Sequence, residues 1–264
     1  MDRYAGKVAV VTGATKPGAI GAGIAERLAA EGAAVVVAGR DVAGGTQVAD
    51  GIRSRGGEAT VTPVDLTRAE SVRALVDGAV ARYGRLDTLV NNAAAIDTVK
   101  AGHDLPVADM DVEAWDYAFS VNVRGAFLCA KYAIPPMIDG GGGAVVNISS
   151  IAALRAIPSR AAYTSTKAAL NGLTLSIAVD YADRGIRSNA ILVASVRNRT
   201  APARARPGQF DSLMLPRWGG VDDVAAMAAF LASDEAGFTT GAIVPVDGGA
   251  LAKFVKPASP LGLM

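Results

Sequence analysis

Tyr163 and Lys167 lie four residues apart in Tyr163-Thr164-Ser165-Thr166-Lys167, so a helix places both on one face. A phenol with an ordinary pKa of about 10 is a poor base at neutral pH. An ammonium beside it favours the phenolate, so Lys167 is expected to lower the Tyr163 value. Such a pair can give a proton to a carbonyl oxygen, or take one from an alcohol, while hydride moves at carbon. The same spacing also occurs on ordinary exposed helices, and two further residues narrow the choice. Ser150 stands thirteen residues before Tyr163 at the end of an expected strand, where its hydroxyl can hold a substrate oxygen. Asn122, in Ser120-Val121-Asn122-Val123-Arg124-Gly125, falls inside an expected helix, where a polar side chain has little structural reason to be.

These residues need rigid elements beneath them, and the chain supplies a regular series. Short apolar runs at residues 7–12, 34–38, 58–63, 88–91, 144–148, 187–193 and 242–246 read as strands buried on both faces. Helical patterns alternate with them. Ile20, Ile24 and Leu28 repeat every four residues, and Gly32, Gly84 and Gly185 stand where helices should stop. The expected fold is α/β, a Rossmann-like, doubly wound, mainly parallel seven-stranded sheet with helices on both faces. It forms one domain over residues 1–250, followed by a tail at 251–264 that can pack on a neighbouring subunit. Residues 140–143, all glycine, read as a surface loop.

Composition removes several function classes. Of 264 residues 51% are hydrophobic and mean hydropathy is +0.30, enough for a substantial core. No run reaches the roughly 18 apolar residues of a transmembrane helix. A net charge of +1 points to neither nucleic acid nor an anionic membrane. Cys129 and His103 are the only residues of their types, so no internal disulfide and no cysteine/histidine metal site is expected. Cys129 reads as inert core and His103 as a surface residue. The start runs into a strand with no room for a signal peptide, and a cytoplasmic setting is expected.

The first strand leads into Thr12-Gly13-Ala14-Thr15-Lys16-Pro17-Gly18-Ala19-Ile20-Gly21 and then a helix. Such a turn brings backbone N–H groups and a helix N-terminus to a pyrophosphate. Read alone, it is also compatible with a sharp turn that holds no ligand. After the second strand the chain has Gly39-Arg40 where a carboxylate would bind a ribose 2′-hydroxyl. Arg40 suits a 2′-phosphate, which favours NADP(H) over NAD(H), while the following Asp41 keeps both open.

Taken together, Tyr163-x-x-x-Lys167, Ser150 and Asn122 resemble the classical short-chain dehydrogenase/reductase family, over about residues 5–250. The resemblance implies Tyr163 as acid/base, with Lys167 lowering its pKa and binding the nicotinamide ribose. It also implies that Ser150 orients the carbonyl and that Asn122 holds a water in a proton relay. Ser149 is adjacent, but the thirteen-residue spacing selects Ser150. Asp65-Leu66 resembles the pair at the adenine, Asn91-Asn92-Ala93-Ala94 the segment lining the cofactor, and Val246-Asp247-Gly248-Gly249 the closing strand and turn. The cofactor-binding residues implied are Gly13, Thr15, Lys16, Gly18, Ile20, Gly21, Arg40, Asp65, Leu66, Asn92, Ala93, Tyr163, Lys167 and Val196. A homotetramer or homodimer is implied as well.

The departures from the family pattern surround the cofactor. Lys16-Pro17 lengthen the glycine loop and Ala19 replaces its middle glycine; the added methyl can push a pyrophosphate outward, while the longer loop can compensate and Lys16 can reach a phosphate. Ala94 replaces a glycine and narrows the space beside the nicotinamide. Val193-Ala194 replaces Pro-Gly, which alters the backbone path, and Asn198 stands for the customary threonine. On the substrate side, residues 197–215 match the family's lid and carry Arg197, Arg199, Arg204 and Arg206. They suit either a bound carboxylate or phosphate, or a solvated loop. Ala94, Ile96, Ala152 and Arg197 are the expected substrate contacts, with further apolar wall from residues 152–154 and 157–158. Asp222 and Asp223 are expected to cap a helix over residues 224–231. A small-molecule ketone reductase or alcohol dehydrogenase is the leading expectation. An enoyl reductase is the near alternative, and a sensor or scaffold without turnover is the alternative from another class.

Overall fold

A computed structural model describes residues 2–200 and 213–252, apart from the side chains of residues 98 and 100. Seven parallel strands form the main sheet: β1 (Val8–Thr12), β2 (Ala34–Gly39), β3 (Glu58–Pro63), β4 (Thr88–Asn91), β5 (Gly143–Ser150), β6 (Ile186–Val193) and β9 (Ile243–Val246). A separate ladder of β7 (Val196–Arg197) and β8 (Gly219–Gly220) intervenes before the last. The order in the main sheet is β3-β2-β1-β4-β5-β6-β9. Winding therefore reverses between β1 and β4, and the crevice beyond their carboxyl ends is where an open α/β sheet holds a ligand.

Alternation along each strand makes the two cores. Ala9, Val11, Val35 and Val37 point to one face, covered by α1 (Ile20–Ala30), α2 (Val42–Ser54) and α8 (Val221–Ala232). Val8, Val10, Val36 and Ala38 point to the other, covered by α3 (Ala69–Tyr83), α6 (Gly125–Asp139) and α7 (Ala161–Tyr181). Two shorter helices, α4 (Ile96–Lys100) and α5 (Val112–Phe119), follow β4. Ile24 and Leu28 are fully buried, as their four-residue repeat requires, and Cys129 lies in the second core. Gly84 and Gly185 close their helices in the left-handed region.

Three expectations shift at the edges. β5 starts at Gly143, inside the glycine run, and ends on Ser150, so the serine is part of the strand. α8 starts three residues before the expected boundary, because the Asp223 carboxylate accepts the Gly220 N–H at 2.7 Å and caps the helix from within its first turn. The β7–β8 ladder, which pairs Val196 with Gly219 and Arg197 with Gly220, was not anticipated. Arg204, Arg206 and residues 253–264 of the expected tail lie outside the described residues.

Candidate active site

Beyond the carboxyl ends of β1, β4 and β5 lies a cleft of about 700 Å³. At one end stand Ser150, Tyr163 and Lys167, brought together because β5 and α7 pack side by side. Lys167 is buried, and its Nζ donates to Ile148 O at 2.7 Å. Ser150 Oγ donates to Val193 O at 3.3 Å and accepts the Ala152 N–H at 3.1 Å. Ser149 Oγ points the opposite way and donates to Lys167 O at 3.2 Å. Strand alternation thus aims the Ser149 hydroxyl at the α7 backbone and the Ser150 hydroxyl at the β6 end and the Ala152 amide.

Asn122 does not line the cleft. It sits beneath it, in a π-helical turn over Ser120–Arg124 that joins α5 to α6. Its Oδ1 accepts the Ala95 N–H at 2.7 Å, and its Nδ2 donates to Thr166 Oγ1 at 3.0 Å. Thr166 Oγ1 in turn donates to Tyr163 O at 2.9 Å. A wide turn of this kind re-aims one side chain out of the regular helical spacing, and here it aims an amide at both α4 and α7.

The expected influence of Lys167 on Tyr163 is overturned. Burial raises the Tyr163 pKa, with the neighbouring Ser150 hydroxyl opposing the rise. The ammonium lies 5.7 Å from the ring centroid and places one of its N–H donors on Ile148 O. Burial acts on the lysine as well, lowering it from 10.5 to about 8.

One residue that sequence reading missed fixes the tyrosine's backbone. Asp104, only 2% exposed, accepts the N–H groups of Ala162 and Tyr163, each at 3.0 Å. The N-cap residue of α7, Arg160, offers no side-chain cap of its own. A carboxylate 58 residues away therefore serves as the cap. No local capping signal marks it.

At the other end the glycine loop closes over β4. Asn92 Nδ2 donates to Thr12 O and Gly13 O, both at 3.0 Å, and ties the loop to the sheet. A Cβ on Gly13 would meet Ala93 Cα at 2.7 Å, and one on Gly21 would collide with Asn92 Nδ2 and Gly13 O. Ala19 takes extended backbone open to any residue, provides no side-chain cap to α1, and no acid stands in the first turn. Close backbone packing beside a helix N-terminus free of side-chain caps fits the pyrophosphate of a dinucleotide. The expected cofactor residues line this cleft, with the exception of Gly18. Gly18 is covered by the segment after β7, its carbonyl accepting the Arg199 N–H at 2.9 Å and its Cα facing Thr200.

Ala94 and Ile96 line the cleft, while Ala152 is fully buried behind Ser150 and Arg197 lies in β7, off the lining. Asn198, named among the departures around the cofactor, lines it too, as do Asp97 and Tyr117, neither of which was expected as a contact. His103 is exposed. Among the described residues no acidic, histidine or cysteine cluster suited to a metal occurs, and no helix is long and apolar enough to cross a membrane.

The family described as enoyl-(acyl carrier protein) reductase matches residues 13–250. The cis-4-hydroxycyclohexanecarboxylate dehydrogenase of Sinomonas cyclohexanicum is 41% identical over 257 residues, covering 94% of this chain and 98% of its own. Glucose 1-dehydrogenase 2 of Bacillus subtilis is 36% identical over 250 residues, covering 92% of this chain and 94% of its own. Among solved structures, a short-chain type dehydrogenase/reductase from Mycobacterium ulcerans superposes with a TM-score of 0.85 at 32% identity, covering 95% of this chain and 91% of that one.

Proposed function

The chain belongs to the classical short-chain dehydrogenase/reductase family of oxidoreductases, and from that premise we propose that it interconverts a carbonyl and a secondary alcohol with NADP(H) favoured over NAD(H). The observation that carries this reading is the placement of Ser150, Tyr163 and Lys167 on one end of a cleft whose other end is the glycine loop. The loop amides near Gly13 and Gly21, with Asp65, Leu66, Asn92, Ala93 and Val196, would hold the dinucleotide, and Lys16 and Arg40 its phosphates. When bound, the nicotinamide supplies or accepts the hydride.

The proton falls to the chain's own residues. Burial keeps Tyr163 a neutral phenol at neutral pH, the form that gives its Oη proton to a carbonyl oxygen. Ser150 Oγ donates a hydrogen bond to that same oxygen and fixes it before the tyrosine. Lys167 Nζ, which donates to Ile148 O, would hold the ribose hydroxyls of the nicotinamide half. Asn122 holds α4 and α7 in register, and solvent water would return the proton to Tyr163. In the oxidation direction the same groups act in reverse.

The relative named for cis-4-hydroxycyclohexanecarboxylate makes alicyclic alcohols and ketones the first substrates to screen, and Ala94 and Ile96 supply apolar wall for them. The matched family's description names enoyl chemistry; the spacing of Ser150, Tyr163 and Lys167 favours C=O over C=C. Exposed Phe127, Leu175 and Val179 on α6 and α7 support a homodimer or homotetramer. Fluorescence titration with NADPH and with NADH tests the reading. Tight NADPH binding, followed by oxidation of the bound nucleotide on adding a cyclic ketone, is expected. A folded protein that binds neither would favour a scaffold without turnover.

A further inference from the structure

Arg40, the residue assigned to the 2′-phosphate, is held across the cleft. Its Nη2 donates to Asp97 Oδ2 at 3.0 Å and its Nη1 to Tyr117 Oη at 3.0 Å. Tyr117 Oη donates to the same Asp97 oxygen at 3.1 Å, closing a triangle between the end of β2, α4 and α5. All three residues line the cleft. Asp41 and Asp65 line the same region, but local donors engage them: the Gly44 N–H on Asp41, and the Thr67 N–H and hydroxyl on Asp65. Lys16 and Arg40 thus face three lining carboxylates, of which Asp97 is the one that reaches Arg40.

We infer that Asp97 is a specificity-determining residue that restrains the protein's preference for a 2′-phosphorylated dinucleotide by competing for Arg40. The inference rests on the assignment of the 2′-phosphate to Arg40. A phosphate monoester brings a charge of about −1.5 to −2, and it meets Asp97 as a like charge bound to the same guanidinium. A ribose 2′-hydroxyl brings no charge and leaves the triangle intact. Arginine has five N–H donors in a fixed fork, so the guanidinium can serve phosphate and carboxylate together. The repulsion remains, and it falls on NADP(H) alone. Both members of the pair are at least half exposed, at 66% and 50%, so solvent and salt limit the effect to about fivefold.

The experiment is a fluorescence titration of the full chain with NADPH and with NADH, on the parent protein, Asp97→Asn and Arg40→Ala. The exposure of Asp97 lets the variant keep the fold, and an unchanged thermal midpoint verifies it. Asp97→Asn is expected to bind NADPH about fivefold more tightly with NADH within twofold, and the gain shrinks as salt is raised. If Arg40→Ala weakens NADPH selectively but Asp97→Asn leaves the NADPH/NADH ratio unmoved or lowers it, the role of Asp97 is overturned and the Arg40 assignment stands. If Arg40→Ala leaves the ratio unmoved, both are overturned.

Discussion

The two ends of the cleft hold their functional groups in opposite ways. Around Tyr163, the Asn122, Ser150 and Lys167 side chains are buried, and each has a short-range partner in the backbone or in a neighbouring side chain. At the other end Arg40 and Asp97 are at least half exposed and meet through a surface ion pair. In a dry environment an unmade hydrogen bond is costly, so the geometry at Tyr163 is stringent. In water the same contacts are weak, so a single charge change at Arg40 or Asp97 is expected to leave the fold undisturbed.

The largest expected effect breaks the buried end at the proton. Tyr163→Phe removes the acid and should lower turnover by about 1,000-fold, with dinucleotide affinity in the same titration changed by less than about threefold. Near-normal turnover in this variant would mean that burial there serves packing alone. Next is Asp104→Ala, which strips the acceptor from two amide groups at the start of α7. The expected loss is about 2 kcal/mol in denaturant unfolding, with Asp104→Asn losing less. An unfolding curve that matches the parent's would show that water replaces the carboxylate.

At the exposed end the effects shrink. Arg40→Ala should weaken NADPH about tenfold, as for one charge-assisted phosphate contact, and leave the unfolding curve unmoved. The smallest effect concerns the pH dependence of stability through Lys167. Below pH 8 the lysine is protonated in both states, and the folded chain bears the cost of a buried ammonium. Between about 8 and its ordinary 10.5 only the unfolded chain keeps the proton, so stability rises with pH. From pH 8 to 9 that contribution is about 1 kcal/mol, and Lys167→Met should lack it when the two proteins are unfolded side by side.

Much of this was legible in the sequence because it is periodic or local. The four-residue step from Tyr163 to Lys167 and the apolar runs of the strands are set by a single element each. Residues 58–63 and 88–91 match β3 and β4 in full. What escaped depends on chain segments far apart. Asp104 caps a helix that begins 57 residues later, and nothing near it in the chain signals that. Asp97 meets Arg40 only because α4 folds over the end of β2. The phenol pKa failed for a related reason: spacing places Lys167 beside Tyr163, whereas the direction of its ammonium depends on the Ile148 carbonyl of β5. The π-helical turn at Asn122 likewise leaves an unremarkable helical pattern in the sequence.

The central claim is that Tyr163 moves a proton on a substrate held beside a bound nicotinamide dinucleotide. Its most direct test loads the parent protein and Tyr163→Phe with NADPH, adds a panel of cyclic ketones, and follows the absorbance of the reduced nicotinamide. The account predicts that both proteins bind NADPH with similar affinity and that only the parent consumes it. Equal consumption by the two, or no dinucleotide binding by the folded parent, would contradict it.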